Sequence, residues 1–290
     1  MVTQNKSESS VPAVGRSIEV RQPFQADVDP QQPVAIAGGR QPGKADVRVF
    51  YQRHLPHQVP PGYPTFLTWN LKGSLPQRAI EEIEREQLRL TMEPTRPNES
   101  SFERKVRHGK ILFAIRDQKL DTACAEAGVS QSPAYPRVSL ERLTYQGRPM
   151  WLRDPEAAQI VVESVLWGVP ERYALYAFAV LGNHVHVLLT PTIRLEKITQ
   201  GIKGFTAYQI NQLQQERGRT FWQDESYDHW ARDEDEIYQI IQYIEANPVV
   251  VGLCQCPADW RWSSAAWRDQ LGWKVGEPFR AEWKSLVVSA

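Results

Sequence analysis

Cysteine is scarce in this chain, and neither sign of charge is in excess. The three cysteines, Cys124, Cys254 and Cys256, are odd in number, and two of them lie only two positions apart, which excludes a disulfide framework. Cys254 and Cys256 have no second cysteine pair with which to complete a structural zinc site, so all three read as ordinary reduced thiols. Lysine plus arginine number 34 and aspartate plus glutamate 34, giving no net charge. A protein that coats nucleic acid nonspecifically carries a basic excess. Any nucleic-acid contact here must come from local patches. An apolar run of about 18 residues, the length a membrane helix needs, is also missing. The opening MVTQNKSESSVP lacks the apolar core of a secretory signal. A cytoplasmic protein without a membrane contact is the expectation.

What is present is a chain of 290 residues, long enough for a sizeable core, with ten tryptophans. Five of those lie beyond Pro257. Residues 1–48 are rich in Gln, Ser, Pro, Gly and Ala; such a segment buries too little apolar surface to offset its ordering entropy, and reads as a disordered tail. Apolar density begins at Val49-Phe50-Tyr51. A first strand is expected over Tyr63–Leu71, β-branched and aromatic between Pro and Gly. Pro76 opens a helical run to about Met92. Residues 93–150 carry Pro, Gly and Ser clusters with weak periodicity and read as a loop with short helices.

Asp154-Pro155 has the form of an N-cap and first helical residue, and Gly168-Val-Pro170 stops that helix. The apolar run Tyr173–Leu181 suits a central strand. Gly182-Asn183 is a hairpin-type dipeptide, and His184–Thr190 is the partner strand, ended by Pro191. A long helix is expected from Leu195 to about Gly218, and a short extended piece over Ser226–Ala231. The last strong helix, Asp233–Ala246, has an acidic first turn that complements the helix dipole, and Asn247-Pro248 is expected to end it. This order of elements suits an α+β fold, an antiparallel sheet with helices packed on one face.

Residues two apart on a strand point to the same face, so His184 and His186 aim their imidazoles together while Val185, Val187 and Leu189 face the other way. Two imidazoles side by side on a rigid strand can chelate a divalent metal such as Mg, Mn or Zn; the bland reading is two histidines half-exposed on a sheet. Their place in the most apolar stretch of the chain favours ligation, because unpaired imidazoles are costly to bury. Cupin-type oxygenases also use H-x-H, but within a β-barrel and with a further Glu and a distant His. Here strands alternate with long helices.

On the last helix Ile237, Ile240, Ile241 and Ile244 form the apolar stripe, and Tyr243 flanks it. Asn247 follows four residues later, about 40° around the axis and about 6 Å along it, so phenol and amide oxygens can approach one point. An amide oxygen is an acceptable hard ligand. A phenol, with a pKa of about 10 in water, becomes a better nucleophile beside a divalent cation. The alternative is a tyrosine that only packs its ring on the core. Tyr208 and Tyr238 compete for the role, but neither precedes such an amide.

Taken in order, several motifs resemble the REP-associated tyrosine transposases, bacterial members of the HUH single-tyrosine superfamily. They are His54-Leu-Pro-His57, Leu181-Gly-Asn-His-Val-His-Val-Leu-Leu-Thr-Pro191, Lys203-Gly-Phe-Thr-Ala-Tyr208, Phe221-Trp-Gln-Asp-Glu-Ser-Tyr-Asp-His229, Tyr243-Ile-Glu-Ala-Asn-Pro-Val249 and Trp260-Arg-Trp-Ser-Ser-Ala265. The resemblance covers about residues 50–268. It implies a ferredoxin-like core with the histidine pair on a central strand. It implies Tyr243 as nucleophile, with His184, His186 and Asn247 holding Mg or Mn. It further implies cleavage and rejoining of single-stranded DNA at hairpins formed by palindromic repeats, through a 5′-phosphotyrosine, in the cytoplasm at the nucleoid. Residues 49–268 would be the transposase domain, with 93–150 as a loop-rich insertion and 269–290 as a C-terminal extension. Relatives occur as monomers or as homodimers. Gly182 stands where the family usually has Pro. A protein that binds hairpins without cutting them is the alternative.

Lys203 can contact a phosphate or be a solvated helix lysine. His229 is a DNA contact, a support to the metal ligands, or a residue shaping the sheet edge. Trp260, Trp262 and Trp267 can stack on bases, though packing into a core is the expected role.

Overall fold

The computed structural model describes residues 62–127, 143–224 and 226–289. The expected N-terminal tail and the His54-Leu-Pro-His57 motif lie outside these residues, as does 128–142 of the expected insertion.

Strand β1 (Thr65–Asn70) leads into α1 (Gln77–Met92) and α2 (Ser101–Glu126). A two-residue hairpin, β2 (Thr144–Tyr145) and β3 (Arg148–Pro149), precedes α3 (Pro155–Trp167). Then come β4 (Tyr173–Val180), β5 (His184–Pro191), α4 (Leu195–Leu213), β6 (Tyr227–Trp230) and α5 (Glu234–Val250). Two short helices, α6 (Ala265–Leu271) and α7 (Lys284–Ser289), close the chain.

The four long strands form one sheet in the order β4-β5-β1-β6, and every neighbouring pair is antiparallel. With α3 between β1 and β4 and α4 between β5 and β6, this is the βαββαβ arrangement of a ferredoxin-like fold. The histidine strand β5 is central, as expected. β4 is not central but lies at one edge, although nearly all of it is buried. Its outer side is covered by chain that follows α5. Val180 N–H donates to Trp262 O (2.9 Å), Ser264 N–H to Phe178 O (2.9 Å) and Phe279 N–H to Leu175 O (2.6 Å). Arg268 adds a bond to Tyr176 O (2.8 Å) while its Nε meets Glu245 (2.6 Å). An apolar run through a strand therefore reports burial on both faces and not the number of strand neighbours.

The two faces of the sheet carry separate cores. Leu67, Trp69, Val185, Val187 and Leu189 pack on α3 and α4 through Val161, Val165, Ile198 and Ile202. The crossover helices α3 and α4 thus share one face. The opposite face, bearing Phe66, Leu188 and the histidines, is covered by α5 and α2 through Ile240, Ile244 and Phe113. Each fully buried Leu, Val, Ile or Phe contributes about 1.5–3 kcal/mol, so both layers are strongly held.

Helix starts follow their sequence signals. Asp154 caps α3 by accepting from Glu156 N–H (3.0 Å), and Asp233 caps α5 by accepting from Glu236 N–H (2.7 Å). Gly168 ends α3 because the Tyr173 ring lies against it: a Cβ there would sit 2.3 Å from that ring. Two expectations need correction. Residues 101–126 are one helix of 26 residues, opened by a Ser100/Glu103 capping box, and not a loop with short helices. And α5 does not stop at Asn247-Pro248 but runs through Pro248 to Val250. Proline costs the helix one N–H bond, but Val251 N–H still reaches Asn247 O (3.0 Å) and Leu253 N–H reaches Pro248 O (2.7 Å). Asn247 is held inside a helical turn, 1% exposed.

Candidate active site

His184 and His186 project from β5 onto the face covered by α2 and α5, and both are fully buried. Strand register places Asn70 beside His184 and Thr68 beside His186. Each imidazole is fixed through Nδ1. Asn183 donates its Nδ2 to Leu120 O (3.1 Å), which turns its amide oxygen to His184 Nδ1 at 2.6 Å. A carbonyl oxygen only accepts, so the proton sits on Nδ1 and the Nε2 lone pair faces inward. Thr68 Oγ1 lies 2.7 Å from His186 Nδ1 in a hydrogen bond whose direction follows the imidazole tautomer. The two Nε2 atoms then converge at 3.0 Å. Burial, with His184 beside it, holds His186 well below the usual imidazole range, so it is neutral and free to donate its lone pair.

Facing this pair is α2. Asp117, 1% exposed, has Oδ1 3.7 Å from His186 Nε2, and Asp121 has Oδ1 3.4 Å from His184 Nε2. Burial and the neighbouring Asp121 push the Asp117 carboxyl well above the usual range, against the pull of Arg116. From α5, the Tyr243 hydroxyl donates to Asp117 Oδ2, and its ring centroid is 5.6 Å from that of His186. One turn on, Asn247 donates Nδ2 to both oxygens of Asp121 (3.2 Å each). The structure therefore brings together four residues expected to share a site: His184, His186, Tyr243 and Asn247.

The donor set suits a divalent cation. Asp117, His184 and His186 each offer a ligand atom, all within 4.8 Å of one another. Asp117 Oδ1 and Asn247 Oδ1 are both buried without a hydrogen-bond partner. Orphaned acceptors beside two imidazole Nε2 atoms are costly until a positive charge satisfies them. Two imidazoles with a carboxylate are donors that divalent ions such as Mg, Mn or Zn accept.

The sequence motifs do not include Asp117 and Asp121, because their segment carries the weak periodicity of a loop. The signal was their i, i+4 spacing with Leu120 and Cys124, one stripe of a helix. Lys203 is engaged elsewhere: its Nζ donates to Gln223 O (2.6 Å), Asp224 O (3.0 Å) and Ser226 Oγ (3.3 Å), bracing the chain before β6. His229, 5% exposed, pairs with Glu236 at 2.7 Å, and Lys110 of α2 meets the same carboxylate at 3.5 Å. That group ties β6, α5 and α2 together. Trp262 and Trp267 are buried in the core, and Trp260 donates Nε1 to Val180 O (2.9 Å), which is the expected packing role.

Among the described residues, no helix is long and apolar enough to cross a membrane. No curated protein matches the chain. A solved structure described as a REP-associated tyrosine transposase bound to a REP hairpin aligns over 81% of this chain and 91% of its own, with 17% identity and a TM-score of 0.37. That superposition is too loose to transfer ligands or residue roles. The family model described as IS200-like transposase matches residues 161–247, from α3 to the amide one turn beyond Tyr243. The segment that carries both histidines, Tyr243 and Asn247 is thus the part of this chain that is similar to the IS200-like transposase family.

Proposed function

We propose that the protein cleaves and rejoins single-stranded DNA at palindromic hairpins, with Tyr243 as nucleophile and a divalent metal held by His184, His186 and Asn247. The observation that carries this reading is the convergence of one tyrosine hydroxyl, two inward imidazole Nε2 atoms and a carboxylate on one buried point.

The chain's own residues have separable tasks. His184 and His186, locked through Asn183 and Thr68, present Nε2 atoms at a fixed spacing. Asp117 takes the hydrogen bond of the Tyr243 hydroxyl and so points the phenol oxygen into the site. A divalent cation bound there supplies Lewis-acid polarisation of a phosphate oxygen and favours the phenolate. Attack by the Tyr243 oxygen on phosphorus forms a 5′-phosphotyrosine and releases a 3′-hydroxyl. The linkage retains the energy of the phosphodiester, so a 3′-hydroxyl can reverse the step without ATP. Both imidazoles are closed off and Tyr243 is 5% exposed, so a strand reaching the phenol must part α2 from α5 locally. Lys203 and His229, where the structure gives each a partner inside the protein, support this site indirectly through the loop before β6 and the start of α5.

The test is incubation with labelled hairpin oligonucleotides bearing unpaired flanks, in Mg or Mn, followed by denaturing gels. A covalent protein–DNA band is expected with the hairpin and little with the same sequence as a perfect duplex. Equal cleavage of both forms, or none of either across hairpins from the flanking genome, would overturn the proposal.

A further inference from the structure

The two helices over the histidine face are matched turn for turn. On α2, Asp117 and Asp121 are four residues apart; on α5, so are Tyr243 and Asn247. Asp117 meets Tyr243, and Asp121 meets Asn247. We infer that Asp121 is a positioning residue of the metal centre, which aims the Asn247 amide oxygen at the point where the two imidazoles converge. This rests on the proposed metal-dependent function, and it enlarges the working site to a helix that neither the family match nor the sequence motifs include.

A primary amide has two faces of nearly the same shape, one donating and one accepting, and a buried amide turns whichever way its surroundings favour. At Asn247 the deciding neighbour is a carboxylate. Were the amide turned over, its oxygen would lie about where Nδ2 now sits, against two carboxylate oxygens at 3.2 Å, an acceptor facing acceptors. The observed orientation is a charge-assisted bond instead. Its consequence is that Asn247 Oδ1 faces inward, 1% exposed at the residue level and without a partner. Asp121 thus determines which atom of Asn247 the cation meets. Its own distance to His184 Nε2, 3.4 Å, keeps it beside the centre. Supporting groups of this kind are worth about 10–100-fold in metal affinity.

The experiment is Mn2+ affinity measured by electron paramagnetic resonance on the full chain without DNA, for wild type, Asp121→Ala, Asn247→Ala and the double variant. Asp121→Ala should weaken Mn2+ about tenfold or more. In the Asn247→Ala background the same change should cost nothing further, because no amide is left to orient. Asp121→Asn retains an acceptor oxygen and should fall between wild type and alanine, which also serves if the alanine variant folds poorly. If Asp121→Ala weakens Mn2+ equally with and without Asn247, Asp121 is itself a ligand or acts on the fold at large, and the inference fails. Unchanged affinity, or no Mn2+ binding by the wild type, overturns it as well. Because DNA is absent, a chain that shows this coupling yet forms no covalent DNA adduct would refute the transposase reading and leave the inference standing.

Discussion

Replacing Tyr243 by phenylalanine separates chemistry from packing, and the structure sets the size of both effects. The ring remains, and with it the contacts to Phe66, 6.0 Å away between centroids, and to His186 at 5.6 Å. Truncation of such a ring to alanine would cost about 3–5 kcal/mol; phenylalanine avoids that loss. What disappears is one hydroxyl and its bond to Asp117. A buried hydrogen bond contributes about 0.5–1.5 kcal/mol net, and an acceptor left alone costs about 1–3 kcal/mol. Asp117 Oδ1 already lacks a partner, so the variant leaves the whole carboxyl without one among the described residues. A loss of about 1–3 kcal/mol follows, or a fall in melting temperature of about 2–4 °C per kcal/mol for a domain of this size. Differential scanning calorimetry measures the first part and denaturing gels of hairpin reactions the second. The variant should melt a few degrees lower, still bind hairpin DNA, and form no covalent adduct. A DNA adduct on Tyr243→Phe would refute the reasoning and direct the search to Tyr238 or Tyr208.

Other outcomes follow from the same geometry. His184→Ala and His186→Ala should each abolish adduct formation while the protein stays folded, and EDTA should do the same to wild type until Mg or Mn is restored. Full single-turnover activity in either variant would remove the metal assignment. Trp262→Ala, at a site 9% exposed within the larger core, should cost about 3–5 kcal/mol in denaturant titrations. A selective loss of DNA binding at unchanged stability would instead make that residue a base-stacking platform. Burial pushes the Cys124 thiol up to about 12 and the Cys254 thiol up to about 11, while Cys256 is exposed. Alkylation of the native protein at pH 8, followed by peptide mass spectrometry, should therefore label Cys256 first and leave Cys124 unmodified; fast labelling of Cys124 would show that α2 opens readily.

Most elements were legible because local signals and burial agree along the chain. Asp154-Pro155 and Asp233 mark helix starts that the caps bear out, and H-x-H on a strand is enough to place both imidazoles on one face. The failure at α2 has a physical cause. Its buried stripe is Phe113, Asp117, Leu120, Ala123 and Cys124, so at the position where a periodic pattern needs an apolar residue the helix carries a carboxylate. The departure from pattern and the proposed role fall on the same residue. At Asn247-Pro248 the general rule about residues before proline was overridden by packing: Ile244, Asn247 and Pro248 are all buried, and tertiary contacts hold the turn that the missing N–H weakens. The edge position of β4 was beyond reach because its cover comes from residues 262–279, some eighty positions away at their nearest pairing.

That cover has a consequence for how the domain can be handled. An eight-residue strand, apolar on both sides, presents its backbone groups to chain from beyond α5. A fragment cut to the family-matched segment, or ending at residue 268, would lose the Phe279 bond to Leu175 and the Trp273, Phe279 and Trp283 rings that shield it. Bare strand margins recruit whatever strand is at hand, usually another copy of themselves. The last twenty residues are thus less an appendage than the selvedge of the sheet, and a shortened protein would be expected to clump before it could be asked about DNA.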